Sequence, residues 1–266
     1  MVSYRGLSAR PLCRRRVVLT STYDRIGATY SATRRLDPRI AGRILEALGD
    51  ATSVVNVGAG AGAYEPTDRF VVGVEPSATM IRQRAPGSAR VVQACAEALP
   101  FADGVFEYAL AVLTVHHWSD VARGLGEVRR VARRRAVVLT WDQDVWESFW
   151  LIREYLPCIR DMDRPRAIPM RDLVSMLGGG RVLSVPMPHD CVDGVHGAFW
   201  RRPEAYLDPR VRAGISTYAL MSAADRDRGL RALAADLESG LWRERHGELL
   251  ELDELDLGYR LVVAEW

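Results

Sequence analysis

Three glycines and one acid stand at positions that favour binding of a cofactor containing adenosine. Gly58, Gly60 and Gly62 follow the run VVNV, and Glu75 ends the next apolar run, VVGVE. Glycines at the end of a strand let the backbone approach a ligand closely, and an acid after the second strand accepts hydrogen bonds from ribose hydroxyls. Dinucleotides and S-adenosylmethionine both contain adenosine, so this motif alone does not choose between them.

The short connection after the glycines favours S-adenosylmethionine. Only the residues AYEPTDR separate Gly62 from Phe70. Pro66 disfavours a helical conformation at Glu65, so we expect no long helix there. A pyrophosphate depends on the N-terminus of such a helix, whereas S-adenosylmethionine carries no phosphate. An NAD(P)-dependent oxidoreductase stays open as the alternative.

Composition limits the class of protein. The chain has 266 residues, 48% of them hydrophobic, which is enough for a large core. Its four cysteines are far apart and show no zinc-binding spacing, so we expect neither a metal site nor a disulfide framework. No apolar run has the length of a membrane span, and no hydrophobic segment follows the N-terminal arginines as in a signal peptide. We therefore expect a cytoplasmic protein that does not bind membranes.

The charged residues exclude two further classes. The formal net charge is +2, and all 36 residues counted as lysine or arginine are arginine. Without lysine, the chain cannot form the Schiff base of pyridoxal-phosphate enzymes or the phosphate contact of P-loop nucleotidases. The arginine runs at 14–16 and 133–135 lack interleaved aromatic residues, so we interpret them as solvated faces and expect no nucleic-acid partner.

Alternating strand and helix patterns predict a doubly wound α/β sheet. The segment 38–48 (PRIAGRILEAL) has apolar residues at helical spacing and leads into the first strand. Short runs rich in valine and alanine predict parallel strands, separated by stretches compatible with helices. The predicted strands are Ser53–Val57, Phe70–Val74, Arg90–Gln93, Glu107–Val112 and Ala136–Thr140, and later 181–187 and 259–265.

Ordered motifs between about residues 23 and 142 resemble those of class I S-adenosylmethionine-dependent methyltransferases, particularly the small-molecule group related to ubiquinone and menaquinone methyltransferases. The motifs are VVNVGAGAG, VVGVEPSATMI, CAEALPF at 95–101 and LTVHHWSD after the fourth strand. The resemblance implies a Rossmann-like, seven-stranded and mostly parallel sheet with an antiparallel last strand and a helical insertion between the last two strands. It also implies S-adenosyl-L-methionine as cofactor and a small molecule as substrate.

The same resemblance assigns a set of cofactor-binding residues. Gly58 and Gly60 approach the cofactor, and Glu75 accepts from both ribose hydroxyls. Pro76 and Met80 flank the adenine. The whole predicted set is Tyr23, Tyr30, Gly58, Ala59, Gly60, Glu75, Pro76, Met80, Cys95, Ala96, Glu97 and Leu113.

Three members of this set have alternative roles. Cys95 stands where the family commonly has Asp, so its thiol or a backbone carbonyl must accept from the adenine amino group. Tyr23 and Tyr30 are seven residues apart on one predicted helix face and can pack on the core. The resemblance instead makes them a lid, whose aromatic faces attract the positive sulfur.

Candidate catalytic residues are His117, His189 and Asp190. His117 follows the fourth strand, and the pair His189-Asp190 follows a later strand and precedes the insertion. Methyl transfer requires alignment of the nucleophile, and a base only when the acceptor has a proton to lose. The sequence therefore leaves an oxygen, carbon or nitrogen acceptor open. It also leaves open a non-catalytic S-adenosylmethionine-binding module, which would lack a substrate cavity.

The resemblance and the order of elements divide the chain into four segments. Residues 1–22 are expected to form a disordered basic arm. Residues 23–188 form the cofactor-binding core with an N-terminal lid helix, and residues 189–250 form a helical insertion that covers the substrate. Residues 251–266 supply the last strand. The oligomeric state is not predicted.

Overall fold

A seven-stranded mixed sheet forms the centre of the protein. The computed structural model describes residues 34–266. In chain order the strands are β1 Ser53–Val57, β2 Phe70–Val74, β3 Arg90–Val92, β4 Phe106–Val112, β5 Ala132–Trp141, β6 Arg181–Ser184, β7 Met187–Pro188, β8 Glu254–Leu255 and β9 Tyr259–Glu265. The order across the main sheet is β3-β2-β1-β4-β5-β9-β6, and β9 is antiparallel to both of its neighbours. The predicted fold class is confirmed.

Helices cover both faces of this sheet and the edge where the parallel strands end. They are Pro38–Leu48, Ala78–Arg82, Val121–Val131, Gln143–Trp146, Cys158–Asp163, Met170–Met176, Pro209–Ala213, Ser216–Leu220, Ala223–Ser239 and Leu241–His246. A π-helical turn spans Leu151–Tyr155, and 3₁₀ turns span Ala96–Ala98, Val115–His117, His196–Phe199, Pro203–Leu207 and Gly247–Glu251. As the sequence predicted, residues 63–69 contain no helix.

The helix Pro38–Leu48 shows how the sequence sets the elements. The Asp37 side chain accepts a hydrogen bond from the Arg39 N–H at 3.0 Å, which caps the helix N-terminus. Proline at the first helical position has no N–H to leave unpaired. Ile44 and Leu48 are buried on the face that contacts the sheet, as the helical spacing predicts.

Two strand predictions differ from the structure. β5 begins at Ala132 rather than Ala136, because the arginine run 133–135 continues the strand and Arg135 pairs with Glu265 of β9. The predicted strand at 181–187 is divided. Its first part is β6, and its last residue starts the separate β7–β8 pair.

An aromatic cluster joins the later helices to the sheet core. Trp150, Trp200 and Trp242 are each at most 3% exposed. The Trp150 indole N–H donates to the Trp200 carbonyl at 3.0 Å, and the Trp200 indole N–H donates to the Met187 carbonyl at 3.0 Å. Large buried aromatic residues hold elements together, and a satisfied N–H, as in Trp150 and Trp200, adds to this, so this cluster fixes the helices after β7 to the rest of the protein.

Two glycine substitutions should change stability in opposite directions. Gly42 and Gly229 both lie inside helices, where alanine is intrinsically better by about 0.5–1 kcal/mol. A Cβ at Gly42 meets nothing within 4 Å, whereas a Cβ at Gly229 would lie 2.2 Å from the Tyr155 carbonyl oxygen. We expect Gly42→Ala to raise the free energy of unfolding by that amount, and Gly229→Ala to lower it by about 1–3 kcal/mol. Denaturant unfolding measures both, and stabilisation by Gly229→Ala would contradict this packing.

Candidate active site

The glycine loop after β1 lies against the ends of β2 and β4. The N–H groups of Gly58 and Ala59 both donate to the Val74 carbonyl, at 2.8 and 2.9 Å. Gly58 has a φ of +76° and approaches Thr114 so closely that a Cβ on Gly58 would lie 2.0 Å from the Thr114 hydroxyl oxygen. Only glycine fits both the conformation and the space. The loop therefore comes within reach of residues on both neighbouring strands.

Glu75 binds this loop from the end of β2. Its carboxylate accepts from the Gly60 N–H at 2.9 Å and from the Ser77 N–H at 2.8 Å. Burial raises the pKa of Glu75, and these two hydrogen bonds oppose the rise. A carboxylate has about four lone-pair sites, so Glu75 retains capacity for two hydroxyl donors.

A buried ion pair fixes the same loop from the other side. Arg84 pairs with Glu65, and each side chain is 5% exposed. Arg84 also donates to the Gly60 carbonyl at 3.3 Å and to the Ala89 carbonyl at 2.9 Å. Because these donors are charged, each bond is stronger than one between neutral groups. The pair thus fixes the conformation of the glycine loop.

We call the space beside this loop the glycine cleft; it has a volume of about 810 Å³ and is lined by Asn56, Gly58, Gly60 and Gln83 among others. Within residues 34–266, Asn56 Oδ1 and Gln83 Oε1 are buried acceptors without a hydrogen-bond partner. Asn56 Nδ2 donates to a carboxylate oxygen of Glu65 at 3.2 Å, which fixes the orientation of the amide. Unsatisfied buried acceptors indicate a ligand rich in donors.

Met80 and Pro76, the remaining predicted cofactor residues of the second motif, are not among the residues that line this cleft, and their cofactor role stays a prediction. Met80 is 2% exposed, and its Cε lies 3.4 Å from where a Cβ of Gly60 would be. The Pro76 carbonyl accepts from Gln93 Nε2 at 3.0 Å. Sequence reasoning missed Asn56 and Gln83, although a single asparagine inside the apolar run VVNV was a visible signal for the first.

The CAEALPF motif has a structural function as well. Cys95 and Ala96 are buried at the start of a 3₁₀ turn. The Glu97 carboxylate accepts from the Ser119 N–H and hydroxyl at 2.6 and 2.8 Å, and from the Asp120 N–H at 3.2 Å. Glu97 therefore holds the loop after β4 in place, a role that the sequence did not predict.

A second space, which we call the histidine cavity, adjoins the glycine cleft. It has a volume of about 700 Å³ and is lined by His116, His117, His196, Trp141, Trp146 and Tyr259 among others. At the end of β4, Val112 lines the glycine cleft and the next residue, Leu113, lines the histidine cavity. Arg34 lines both. The predicted lid residues Tyr23 and Tyr30 lie outside the described residues.

The backbone at this junction has an unusual conformation. Leu113 has a φ of +49°, the one positive φ at a non-glycine residue within 34–266. Its N–H donates to the Leu139 carbonyl at 2.8 Å. Such a conformation is strained and persists where the surrounding structure fixes it, commonly at functional sites.

Two neighbouring histidines form one wall of the histidine cavity. The His116 and His117 rings have centroids 3.8 Å apart, and His116 contacts Trp141 edge-on at 4.3 Å. Burial lowers the pKa of His117 to about 3, with a further contribution from the charge of Arg166. Burial also lowers the pKa of His116 well below its ordinary value. Both rings are therefore neutral at physiological pH.

His196 lies in an aromatic surrounding. The ring centroids of Trp146, Tyr218 and Tyr206 lie 5.4, 5.5 and 6.1 Å from that of His196. Within residues 34–266, neither His196 ring nitrogen has a hydrogen-bond partner, and burial lowers the pKa of His196 to about 3. Sequence reasoning did not single out His196, because one histidine in a region without motifs gives no signal.

An ion pair lies opposite these histidines. Arg166 Nη2 donates to Asp163 Oδ1 at 2.6 Å, and the Trp146 indole N–H donates to Asp163 Oδ2 at 3.2 Å. Burial raises the pKa of Asp163, although Arg166 opposes the rise. The sequence CIRDMDRPR contains several acids and arginines, so the pair that reaches the cavity cannot be identified from spacing alone.

The structure does not bring His189 and Asp190 to either space. His189 follows β7, where its Nδ1 lies 3.1 Å from the Asp253 carbonyl oxygen. Asp190 is exposed and pairs with Arg39 at 2.5 Å. The pairing of β7 with β8 directs this turn to the surface, so the predicted catalytic position of these two residues needs correction. His117 is the one predicted catalytic residue that lines the histidine cavity.

Comparison with known proteins identifies the family. A family model described as a methyltransferase domain matches residues 55–140. The crystal structure of a putative methyltransferase from an antibiotic biosynthesis pathway of Anabaena variabilis is 32% identical, with a TM-score of 0.81. The match covers 87% of this chain and 98% of that one. The chain belongs to the S-adenosylmethionine-dependent methyltransferase family. Its cofactor is S-adenosyl-L-methionine, as the sequence predicted.

Curated relatives match a shorter part of the family fold. An uncharacterized methyltransferase of Bacillus subtilis, YcgJ, is 32% identical over 92 residues, which are 30% of this chain and 36% of YcgJ. The uncharacterized protein YafE of Escherichia coli is 34% identical over 62 residues, 20% of this chain and 30% of YafE. The matched part is thus about a third of each relative.

A third comparison concerns the fold alone. The [4+2]-cyclase SpnF is 14% identical, with a TM-score of 0.53 and 98% of both chains covered. A fold does not determine a reaction, so the reaction has to be argued from the site. Within residues 34–266, no helix combines the length and apolarity needed to cross a membrane. The cytoplasmic location stays a prediction.

The cofactor fits the glycine cleft. S-adenosylmethionine carries an ammonium group, two ribose hydroxyls and an adenine amino group, and the cleft offers the open acceptor sites of Glu75, Asn56 and Gln83. No long helix follows the loop, which suits a cofactor without phosphate.

We expect Glu75→Gln to weaken S-adenosylhomocysteine binding and Glu238→Gln to leave it unchanged. Each charge-assisted hydrogen bond to the ribose contributes about 1.5–3 kcal/mol, so loss of one weakens binding at least about tenfold. Glu238 is exposed on the helix Ala223–Ser239 and lines neither space. Titration calorimetry compares the two variants, and equal affinities would disprove the assignment of Glu75.

We expect His196→Phe to reduce the pH dependence of stability between pH 6 and 5. The pKa of His196 in the folded protein, about 3, lies below that of the unfolded chain, so the unfolded chain binds the extra proton in this range. The free energy of unfolding therefore falls as the pH falls, by up to about 1.4 kcal/mol per pH unit for each such histidine. Phenylalanine does not titrate, so His196→Phe removes the contribution of one histidine to this pH dependence. If the unfolding free energies of the wild type and the variant change equally with pH, His196 has the same pKa in the folded and unfolded states.

Proposed function

We propose that the protein transfers the methyl group of S-adenosylmethionine to a small-molecule acceptor bound in the histidine cavity. The observation that carries this proposal is the junction at the end of β4, where consecutive residues, Val112 and Leu113, line the glycine cleft and the histidine cavity. An acceptor in the second space is adjacent to a cofactor in the first. In-line displacement requires this adjacency.

The insertion supplies much of the wall of the histidine cavity. Gly194, Val195 and His196 line it from one side, and the segment 214–217 lines it from another. We propose that residues 189–250 are the cover that excludes water from the acceptor, with residues 23–188 and 251–266 as the cofactor-binding core. Exclusion of water strengthens polar contacts inside the site and prevents side reactions.

The cavity also bears on the alternatives. A non-catalytic S-adenosylmethionine-binding module has no need of a second space, whereas the histidine cavity adjoins the glycine cleft at Val112 and Leu113. An oxidoreductase would have to hold a pyrophosphate without a helix after the glycine loop. Both features favour methyl transfer.

The cavity residues have distinct tasks in this proposal. His116 and His117 are neutral and can donate or accept one hydrogen bond each to orient the acceptor. Trp141 and Tyr259 offer flat apolar surface. When bound, the cofactor supplies a methyl group activated by positive sulfur, so the protein mainly has to align the acceptor atom.

We expect Ser216→Trp to abolish methyl transfer while S-adenosylhomocysteine still binds. Ser216 lines the histidine cavity and not the glycine cleft, so an indole there fills the acceptor space alone. The matched control is Leu220→Trp on the same helix, where the side chain is 44% exposed. Formation of S-adenosylhomocysteine with a panel of phenols, enols and amines measures turnover. Full turnover by Ser216→Trp would show that the acceptor binds elsewhere.

A further inference from the structure

The histidine cavity contains a cation whose hydrogen-bonding capacity is not used up. Arg166 donates from Nε to the Met162 carbonyl at 3.2 Å and from Nη2 to Asp163 Oδ1 at 2.6 Å. Within residues 34–266, its Nη1 has no hydrogen-bond partner. A guanidinium has five N–H donors in a fixed fork, so Arg166 has donors left for a ligand.

Asp163, a carboxylate that lines this cavity, is already paired with a cation. Asp163 accepts from Arg166 through one oxygen and from an indole N–H through the other. Asp193, behind the cavity wall, accepts from Arg34 at 2.6 Å and from the Tyr64 hydroxyl at 2.8 Å. A ligand ammonium would have to share Asp163 with Arg166, whose positive charge repels it. The distribution of charge favours an anionic ligand.

The histidines of the cavity are poor proton acceptors. The pKa values of His117 and His196 are lowered to about 3. Each unit of pKa difference between a hydroxyl and its base costs about 1.4 kcal/mol, so proton transfer from an ordinary alcohol to either ring is very unfavourable. A hydroxyl that loses its proton to solvent before binding needs no protein base.

We propose that the methyl acceptor is a planar phenol or enol that binds in the histidine cavity as its oxyanion, held by Arg166. This inference rests on the proposed function. Asp163 is a positioning residue, because it fixes the guanidinium while Trp146 fixes Asp163. The rings of Trp141 and Tyr259 line the same cavity and suit a flat conjugated acceptor.

The reaction then balances without a proton transfer to the protein. The acceptor oxygen forms a bond to the methyl carbon, and the bond from that carbon to sulfur breaks with its electron pair left on sulfur. One anion and one sulfonium cation become two neutral products. Arg166 stabilises the ground-state anion, and its position next to the histidines keeps the oxygen oriented.

Other ionisable groups around the cavity do not replace Arg166. The titratable or charged residues that line it besides Arg166 are Arg34, His116, His117, Asp163, His196 and Tyr259. Arg34 donates from Nε and Nη2 to both oxygens of Asp193, whereas Arg166 donates to Asp163 from Nη2 only, and the histidines are neutral. Burial raises the pKa of Tyr259, so its hydroxyl keeps its proton. Arg166 is therefore the cation that can lower the pKa of a bound hydroxyl.

The test uses 7-hydroxycoumarin, a bicyclic phenol that ionises near neutral pH and whose absorption spectrum separates phenol from phenolate. Protein saturated with S-adenosylhomocysteine is used, because its neutral sulfur leaves the charge effect to the protein. We expect the pKa of the bound probe to be at least about one unit below that of the free probe, which corresponds to about tenfold tighter binding of the phenolate.

Variants identify the residue responsible. Asp163→Asn combined with Arg166→Gln removes both charges of the pair together and should return the pKa of the bound probe to that of the free probe or above. Arg166→Lys keeps the charge and should retain a lowered pKa. Arg164→Gln is the matched control, because Arg164 pairs with Glu147 and is 60% exposed, so it should behave as wild type.

Three results would overturn the inference. The first is that the wild type does not lower the pKa of the bound probe. The second is that the bound probe has the same pKa in the double variant as in the wild type. The third is that the wild type at pH 8 binds 7-hydroxycoumarin and the neutral 7-methoxycoumarin equally, or binds neither. Failure of the proposed function has a different signature, namely turnover that Ser216→Trp leaves unchanged.

Discussion

The close approach of Gly58 to Thr114 is the constraint on which the site depends. The Thr114 side chain, just after β4, occupies the space that a Cβ on Gly58 would need, which places the glycine loop and the segment after β4 side by side. Glu75 and Arg84 then bind the loop from two directions. As a result, the consecutive residues Val112 and Leu113 line the glycine cleft and the histidine cavity respectively.

The polar groups that can still form hydrogen bonds differ between the glycine cleft and the histidine cavity. The glycine cleft has acceptors left over, on Asn56 and Gln83, and so is complementary to a donor-rich cofactor. The histidine cavity has neutral rings and one cation with a free donor, Arg166. Buried polar atoms without partners are costly, so the acceptors of the glycine cleft favour an occupied state. Under the proposed function, the free donor of Arg166 serves a second molecule.

The sequence predicted the sheet well and the site in part. Strands such as β1 and β9 are buried on both faces, and their continuous apolar runs mark them directly. The positions of Gly58 and Glu75 after β1 and β2 were predictable because they depend on local spacing along one strand and turn. His196 and Arg166 were not predictable, because they line the cavity only when distant segments of the chain fold together. His189 was placed wrongly because the short β7–β8 pairing, which turns it outward, has no sequence signal.

The position of β9 between β5 and β6 has a consequence for biosynthesis. β6 lies at the edge of the sheet and has β9 as its partner there, and Tyr259 at the start of β9 completes the wall of the histidine cavity. Since a ribosome releases the N-terminal part first, β1 to β5 can pair while β6 and the helices after it still lack their support. Those helices cannot bury their aromatic residues until β9 has been synthesised. During this interval the nascent chain is most vulnerable to aggregation and most dependent on chaperones.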